Sequence, residues 1–330
     1  MTRLPEYLKR PIIDTDKTKN VRNILKTHCL NTVCESARCP NKNECYTKNT
    51  ATFLIMGNVC TRNCRFCNIS CEKPQPLDEN EPKNIAKAVQ ELGLKYVVIT
   101  SVTRDDLPDG GAKHFLDCIK EVKRGMEEKR YGCIELQEMQ NLSPIQPFTH
   151  SPLNPSTLQP FNPNNHSPVH LFTYSPIKIE ILTPDFKGDT KSLDTIIKSD
   201  YPPDVFNHNI ETVPRLYKTA RPQAIYQRSL DVLKYVKENS EILTKSGIMV
   251  GLGETIEELE QTLRDLKNIG CDIVTIGQYI QPSKEHLLVE KYYTLEEFEE
   301  LKNLAKKIGI KKYQIGALVR SSYNAAEAIG

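Results

Sequence analysis

The sequence predicts an α/β fold built as an open or partial barrel, and three observations carry that reading. Short apolar, β-favouring runs alternate with segments of helical period along most of the chain. Six such runs separated by helices imply parallel pairing, because parallel neighbours need crossover connections. The first run ends in a cysteine-rich loop, at the end of a strand where barrels of this architecture carry their chemistry. Five right-handed crossovers can curl into a partial (βα)6 TIM-type barrel or lie in a flat, doubly wound sheet; periodicity alone does not separate the two.

In chain order, residues 1–50 are polar, rich in Lys and Asn, and read as an extension carrying cysteines, with a short helix over Thr18–Lys26. Ala51–Met56 is a strand that stops at Gly57. Pro82 opens a helix with Ile85, Ala88, Val89 and Leu92 at helical spacing and Gly93 as its stop. Tyr96–Thr100 is a buried strand and Lys113–Glu127 a helix. Lys178–Leu182, Asp204–His208, Ser246–Val250 and Asp272–Ile276 are the remaining strands. Ser192–Lys198 and Ile225–Glu238 are helices between them. Thr255 with Glu258 forms a capping box for a helix running to Ile269. Thr294 caps the last helix, Leu295–Ile308. Residues 311–330 read as a C-terminal tail.

One stretch breaks the alternation. From Glu138 to Pro176 the chain is crowded with Pro, Asn, Ser, Thr and His. Phe148–Pro152 recurs as Phe172–Pro176, so this is a low-complexity insert with an internal repeat. Its prolines bar regular helix, and a disordered loop outside the barrel is expected. His150, His166 and His170 lie in it and read as composition rather than as a metal site.

The 330 residues include 44 Lys+Arg and 42 Asp+Glu, a net charge of +2. That balance gives no electrostatic reason to expect nucleic acid or an anionic membrane as a partner. No apolar run approaches the roughly 20 residues that span a bilayer. The N-terminus lacks the apolar core of a secretory signal, which points to the cytoplasm.

Eight of the eleven cysteines fall between Cys29 and Cys71. Such clustering in a reducing compartment suggests metal ligation rather than disulfides. They form two triplets, Cys34, Cys39 and Cys45, then Cys60, Cys64 and Cys67. A structural zinc site or a simple electron-transfer cluster takes four ligands. Three thiols leave a position open, which catalysis requires. The second triplet directly follows the first strand, and Phe66 can shield a cluster there from water. A zinc knuckle or an inert cluster using Cys71 as fourth ligand is the alternative at this site.

The pattern Cys60-x-x-x-Cys64-x-x-Cys67 after a strand resembles the radical S-adenosylmethionine superfamily. The wider set resembles the lipoyl synthase family: Val33–Asn41 with Glu44 and Cys45, Thr52–Gly57, Ser101–Gly111, Asn207–Thr212, Gly277–Tyr279 and the terminal Val319–Tyr323. The resemblance covers nearly the whole chain outside the insert. It implies a partial barrel of the radical type, with the extension and the tail closing over its mouth. It implies two [4Fe-4S] clusters. Cys60, Cys64 and Cys67 would hold the one that binds and cleaves S-adenosyl-L-methionine. Cys34, Cys39 and Cys45 would hold an auxiliary cluster, with Ser322 as its fourth ligand and Ser321 as the fallback. A serine oxygen is harder and more readily displaced from iron than a thiolate, which suits a cluster that gives up sulfur.

The implied reaction inserts sulfur at C6 and C8 of an octanoyl-lysine on lipoyl carrier domains, in protein lipoylation. The implied partners are the carrier domains of 2-oxoacid dehydrogenase E2 subunits and the glycine cleavage H protein, an electron donor such as ferredoxin or flavodoxin, and an iron–sulfur carrier. Contacts to S-adenosylmethionine by resemblance are Asp109, Gly110 and Gly111 near the methionine amino group, Asn207, Asn209 and Glu211 near the ribose, and Gly251 and Gly253 along the nucleoside. Each has a structural reading beside the functional one, as turn, cap or loop residues. Arg320 orders the tail through a carboxylate or approaches the cofactor. Cys29, Cys71, Cys118, Cys133 and Cys271 have no place in the family pattern. Two rivals remain at this point: a radical enzyme with a non-sacrificial auxiliary cluster, and a zinc-stabilised interaction protein.

Overall fold

The computed structural model describes residues 4–11, 15–141 and 177–328. It divides into two compact units, Met1–Met126 with Ile177–Gly330, and Glu127–Pro176. Apart from one helix that continues into the second, everything below concerns the first. The insert, from 142 onward, with its three histidines, lies outside the described residues.

The first unit is an eight-stranded sheet wrapped by helices. In chain order its strands are β1 (Asn31–Thr32), β2 (Thr52–Ile55), then a two-stranded ribbon β3 (Val59–Cys60) and β4 (Ser70–Cys71), then β5 (Tyr96–Ser101), β6 (Lys178–Leu182), β7 (Val205–Asn207), β8 (Leu243–Val250), β9 (Ile273–Gln278) and β10 (Lys312–Gly316). The helices are α1 (Asp16–Thr27), α2 (Val33–Ser36), α3 (Lys42–Thr47), α4 (Glu81–Leu92), α5 (Ala112–Asn141), α6 (Thr190–Ile197), α7 (Tyr217–Ala220), α8 (Tyr226–Asn239), α9 (Ile256–Asn268) and α10 (Leu295–Ile308). The order across the large sheet is β1-β2-β5-β6-β7-β8-β9-β10. β1 runs antiparallel to β2, and every other pair is parallel. Among the described residues β1 and β10 are the free edges, so the barrel is open between them.

Local sequence explains most of these elements. Thr255 and Thr294 each accept from the third residue of their helix, and Glu258 and Glu297 bond back, two complete capping boxes. Gly93 and Gly309 end α4 and α10 in the left-handed conformation, which costs glycine no Cβ clash. The six expected strands all form. Three features differ from expectation. Helix α5 continues to Asn141 instead of stopping at Glu127, so its last turn enters the segment read as insert. Lys312–Gly316, read as tail, is a seventh parallel strand; only Ile315 of it is buried, so an edge strand with little apolar pattern escaped detection. The extension, read as holding one short helix, also contributes strand β1, whose Asn31 and Thr32 pair with Leu54 and Phe53.

Side-chain alternation sorts the strands into two faces. Val97, Ile99, Ile179, Ile181 and Phe206 belong to one apolar core under the helices; Ile248, Val250, Val274 and Ile276 belong to a second. The alternate positions point into the barrel, and low in it they are polar. Glu180 takes both oxygens to Lys245 Nζ (3.0 Å each), accepts from Asn207 Nδ2 (2.8 Å) and accepts from the Tyr96 hydroxyl (2.6 Å). Lys245 and Glu180 are both fully buried. A buried ion pair is tolerable only when its remaining lone pairs and protons are satisfied, and this one forms a polar floor to the barrel.

Candidate active site

Met56, directly after β2, has a left-handed φ of 65° and Gly57 follows at 90°, so the chain turns sharply into the cysteine loop. Met56 is held there because its N–H donates to the buried Glu81 (2.8 Å), which also meets His114 Nε2 (2.6 Å). Backbone pairing of Cys60 with Cys71 in the β3–β4 ribbon then closes the loop. Inside it, Arg62 is almost fully buried. It forms a two-pronged bond to Asp105 (2.7 and 2.9 Å) and a third bond to Asp185 (2.6 Å). Burial alone would raise the Asp185 carboxyl, but the Arg62 bond and charge hold it down to about 2. The far side of the loop is tied by Arg65 N–H to Ala220 O (2.8 Å), by Leu287 N–H to Arg65 O (3.0 Å) and by His286 to Cys67 O (2.8 Å).

This frame turns Cys60, Cys64 and Cys67 into one cavity of about 200 Å³. The N–H groups of Arg62 and Thr103 both point at Cys60 Sγ, at 3.4 and 3.3 Å. Asn209, Glu211 and Arg221 line the same cavity. Burial raises the Glu211 carboxyl against the opposing pull of Arg221 and Asn209. Arg221 was not legible in the sequence: it sits at the end of α7, and only the fold brings it to Cys64. Its guanidinium donates to the Asn209 and Ile210 carbonyls and leaves Nε without a partner. Cys71 is exposed and lines none of this, so among the described residues no fourth sulfur joins the three thiols.

The other triplet is assembled from α2, α3 and the turn between them. Cys34, Cys39 and Cys45 line a second cavity, of about 230 Å³, with Arg320, Ser322 and Tyr323. The tail reaches it by crossing the open end of the barrel. Asn41 Nδ2 donates to Leu318 O (2.7 Å), Tyr323 donates to Glu44 (2.8 Å), and Ser321 donates to Asn209 (2.9 Å). Two glycines on the inner face make room. A Cβ on Gly277 would lie 2.0 Å from Val319 O, and one on Gly247 would lie 2.6 Å from Ser321 Oγ.

A third cavity, of about 350 Å³, lies between the two. It is lined by Cys39 from one triplet and Cys67 from the other, together with Ser321 and Ser322.

The other sequence candidates fall elsewhere. Asp109 caps α5 by accepting from Gly111 and Lys113 N–H, and it lines a separate cavity with Glu79 and His114. Gly110 abuts Phe186 and Gly111 abuts Met56. Asn207 sits in the polar floor. Gly251 and Gly253 have φ of 99°, and a Cβ on Gly251 would strike Gln278 and Lys291, so both serve a tight turn at the end of β8.

The donor sets fit iron–sulfur clusters. Burial pushes the Cys34 and Cys67 thiols up to about 12, and Cys45 and Cys64 to about 11, so without metal they hold their protons. Among the described residues no three His, Cys, Asp or Glu side chains converge tightly enough for one metal ion. A cubane takes each thiolate on a different iron, so three spaced thiols suit it. Arg320 adds a charge argument. It faces the auxiliary cavity and donates only to its neighbour's carbonyl, Val319 O (2.7 Å), with no carboxylate partner among the described residues. An enclosed cation without a counter-charge is costly, and an anionic cluster in that cavity supplies one.

A partial barrel with three thiols on the loop after its first core strand defines a radical S-adenosylmethionine enzyme, and the model of the Radical SAM superfamily matches residues 54–266. Relatives narrow this. The chain is 45% identical over 98% of its length to the lipoyl synthase of Caldanaerobacter subterraneus subsp. tengcongensis, covering 96% of that protein. It is 48% identical over 97% of its length to that of Caldicellulosiruptor bescii, covering 94%. Among solved structures it resembles HydG, a maturase of the [FeFe]-hydrogenase, with a TM-score of 0.51 and 13% identity, over 89% of this chain and 62% of that one; this likeness concerns the fold alone. The chain belongs to the lipoyl synthase family. It is accordingly a radical sulfur-inserting enzyme that uses S-adenosylmethionine and [4Fe-4S] clusters. Among the described residues no helix is long and apolar enough to cross a membrane.

Proposed function

We propose that this enzyme inserts two sulfur atoms, at C6 and C8, into the octanoyl chain of an octanoyl-lysine on lipoyl carrier domains. One observation carries the reading: a single cavity touches a thiol of each triplet, Cys67 and Cys39, together with Ser321 and Ser322. An unactivated C–H bond resists any side-chain base, so the reaction needs a radical centre and a sulfur source that face the same carbon. When bound, the cluster on Cys60, Cys64 and Cys67 supplies the electron that cleaves S-adenosylmethionine to methionine and a 5′-deoxyadenosyl radical, and the cluster on Cys34, Cys39, Cys45 and Ser322 supplies sulfur.

The chain's own groups do the placing. Arg221 is buried and Glu211 half-buried; they are opposite in charge, and both face the cavity of Cys60, Cys64 and Cys67. They suit the ammonium and carboxylate of the methionine moiety. The N–H groups of Arg62 and Thr103 both aim at Cys60 Sγ and fix its position on the cavity wall. Phe66 lines both this cavity and the central one and keeps water from the radical path. Asn209 accepts from Ser321, so the cosubstrate side and the tail share one residue. Ser322 presents a hydroxyl where the auxiliary cavity meets the central one, suiting a ligand that must let go. The carriers in this reading are E2 subunits and the glycine cleavage H protein, with a ferredoxin or flavodoxin as reductant, an iron–sulfur carrier for renewal, and the cytoplasm as the site of action.

Anaerobic reconstitution tests the assignment. The intact chain should take up about eight irons, and replacement of Cys34, Cys39 and Cys45 by alanine should leave about four, with cleavage of S-adenosylmethionine retained and sulfur insertion lost. About eight irons in that variant would remove the auxiliary site from these residues.

A further inference from the structure

Residues 4–10, ahead of α1, belong to none of the motifs above, yet the chain fixes them at both ends. Glu6–Leu8 forms one 3-10 turn, closed by Leu8 N–H to Pro5 O (3.1 Å) and Lys9 N–H to Glu6 O (3.0 Å). Leu8 is 1% exposed and packs into the second core with Tyr293, and the Tyr7 hydroxyl donates to Tyr293 O at 2.6 Å. Two residues further on, Arg10 approaches Glu44 at 3.7 Å, beside Cys45, and Glu44 in turn accepts from Tyr323 of the tail. Residues 4–10 therefore run as a strap from the segment after β9 to α3, the helix that carries Cys45.

Leu4 and Leu8 also line the central cavity, together with Phe66 and Met249 and with Cys39 and Cys67 from the two triplets. An acyl chain offers no hydrogen-bonding group. Its length is discriminated only by the apolar wall it lies against and by where that wall ends. The thiols cannot move without losing metal. The strap is different: it carries no proposed ligand and reaches the cavity with two leucines alone.

We propose that Leu4 and Leu8 of the N-terminal strap form the wall against which the substrate's acyl chain lies, and that they set the chain length this enzyme accepts. The inference rests on the octanoyl reading above and adds the residues that measure the chain.

The test uses the full-length, cluster-loaded protein and lysine peptides carrying hexanoyl, octanoyl, decanoyl or no acyl group, each with a fluorescent label. Affinity is read by anisotropy and turnover by product mass. The wild-type chain should bind the octanoyl peptide best. Leu8→Ala should weaken octanoyl binding about tenfold and shift the decanoyl-to-octanoyl ratio about tenfold toward decanoyl, in line with what a missing methylene or two contributes in an apolar pocket. Leu4→Ala, at a half-buried position that folding tolerates better, should shift the ratio the same way. Unchanged ratios in both variants, or equal losses for acylated and unacylated peptides, would overturn the strap's role and leave the octanoyl reading intact. Failure of the wild-type chain to convert the octanoyl peptide would overturn both.

Discussion

The two thiol sites face one cavity but are built in opposite ways. Cys60, Cys64 and Cys67 lie within eight consecutive residues on a loop braced by buried charge, with Arg62 between two aspartates. Cys34, Cys39 and Cys45 sit on two short helices and the turn between them, and Ser322, the oxygen partner we propose, arrives from the far end of the chain. The ties there are thin: one amide to a carbonyl, one half-exposed tyrosine to a carboxylate, one serine to an asparagine. The difference matches the work. A centre that passes electrons repeatedly gains from a rigid frame. A centre that surrenders sulfur and must be rebuilt gains from a wall that can separate.

This contrast can be broken by experiment, beginning where the effect should be greatest. Arg62→Met removes the cation between Asp105 and Asp185 and strands a fully buried carboxylate; Arg228, at 3.5 Å, compensates only in part. Unfolding free energy from urea titration should fall by about 3–5 kcal/mol. A loss under 1 kcal/mol would mean that the loop is not braced as described.

Next is a pH effect on the same side of the barrel. His208 is fully buried between Thr183 O (2.9 Å) and Ser229 Oγ (3.0 Å), and burial, aided by Arg221, lowers its pKa to about 4. The unfolded chain binds this proton near pH 6.5 and the folded chain does not. Stability is therefore whole above pH 6.5 and declines as pH falls toward 4, by roughly 3 kcal/mol. Urea midpoints at pH 7.5, 6 and 5 should show the decline, and His208→Gln should flatten it.

Gly277→Ala probes the auxiliary side. Its Cβ would meet Val319 O at 2.0 Å and lift the tail off the inner face. Sulfur insertion should drop about a hundredfold, the cost of a misplacement near 1 Å, while cleavage of S-adenosylmethionine continues. Equal loss of both activities would place the fault in the barrel rather than in the tail. The smallest effect belongs to Tyr323→Phe, which removes one partly exposed bond to Glu44 and should cost about 1 kcal/mol or less, seen as faster proteolysis of the tail at unchanged global stability.

What the sequence revealed follows the same division between local and distant. The boxes at Thr255 and Thr294, the stop at Gly93 and the strand Lys178–Leu182 are written in neighbouring residues, and they appear where expected. The loop of Cys60 is local too. β10 was hidden because an edge strand needs little apolar pattern. Arg221 was hidden because its link to Cys64 exists only after folding. The floor of Tyr96, Glu180, Asn207 and Lys245 was invisible for the same reason: four polar residues on four strands announce nothing until the barrel stacks them. Asp109 shows the converse. A turn of Asp and two Gly looks the same in sequence whether it meets a ligand or caps a helix, and here its carboxylate accepts from Gly111 N–H, just ahead of α5, and from Lys113 N–H in its first turn.

The account stands most directly on where the inserted sulfur originates. Reconstituting the chain with ³⁴S-sulfide, removing free sulfide and allowing a single turnover on an octanoyl-lysine peptide should yield product in which both inserted sulfur atoms are heavy. Product carrying light sulfur from the medium would contradict a donor held by Cys34, Cys39, Cys45 and Ser322.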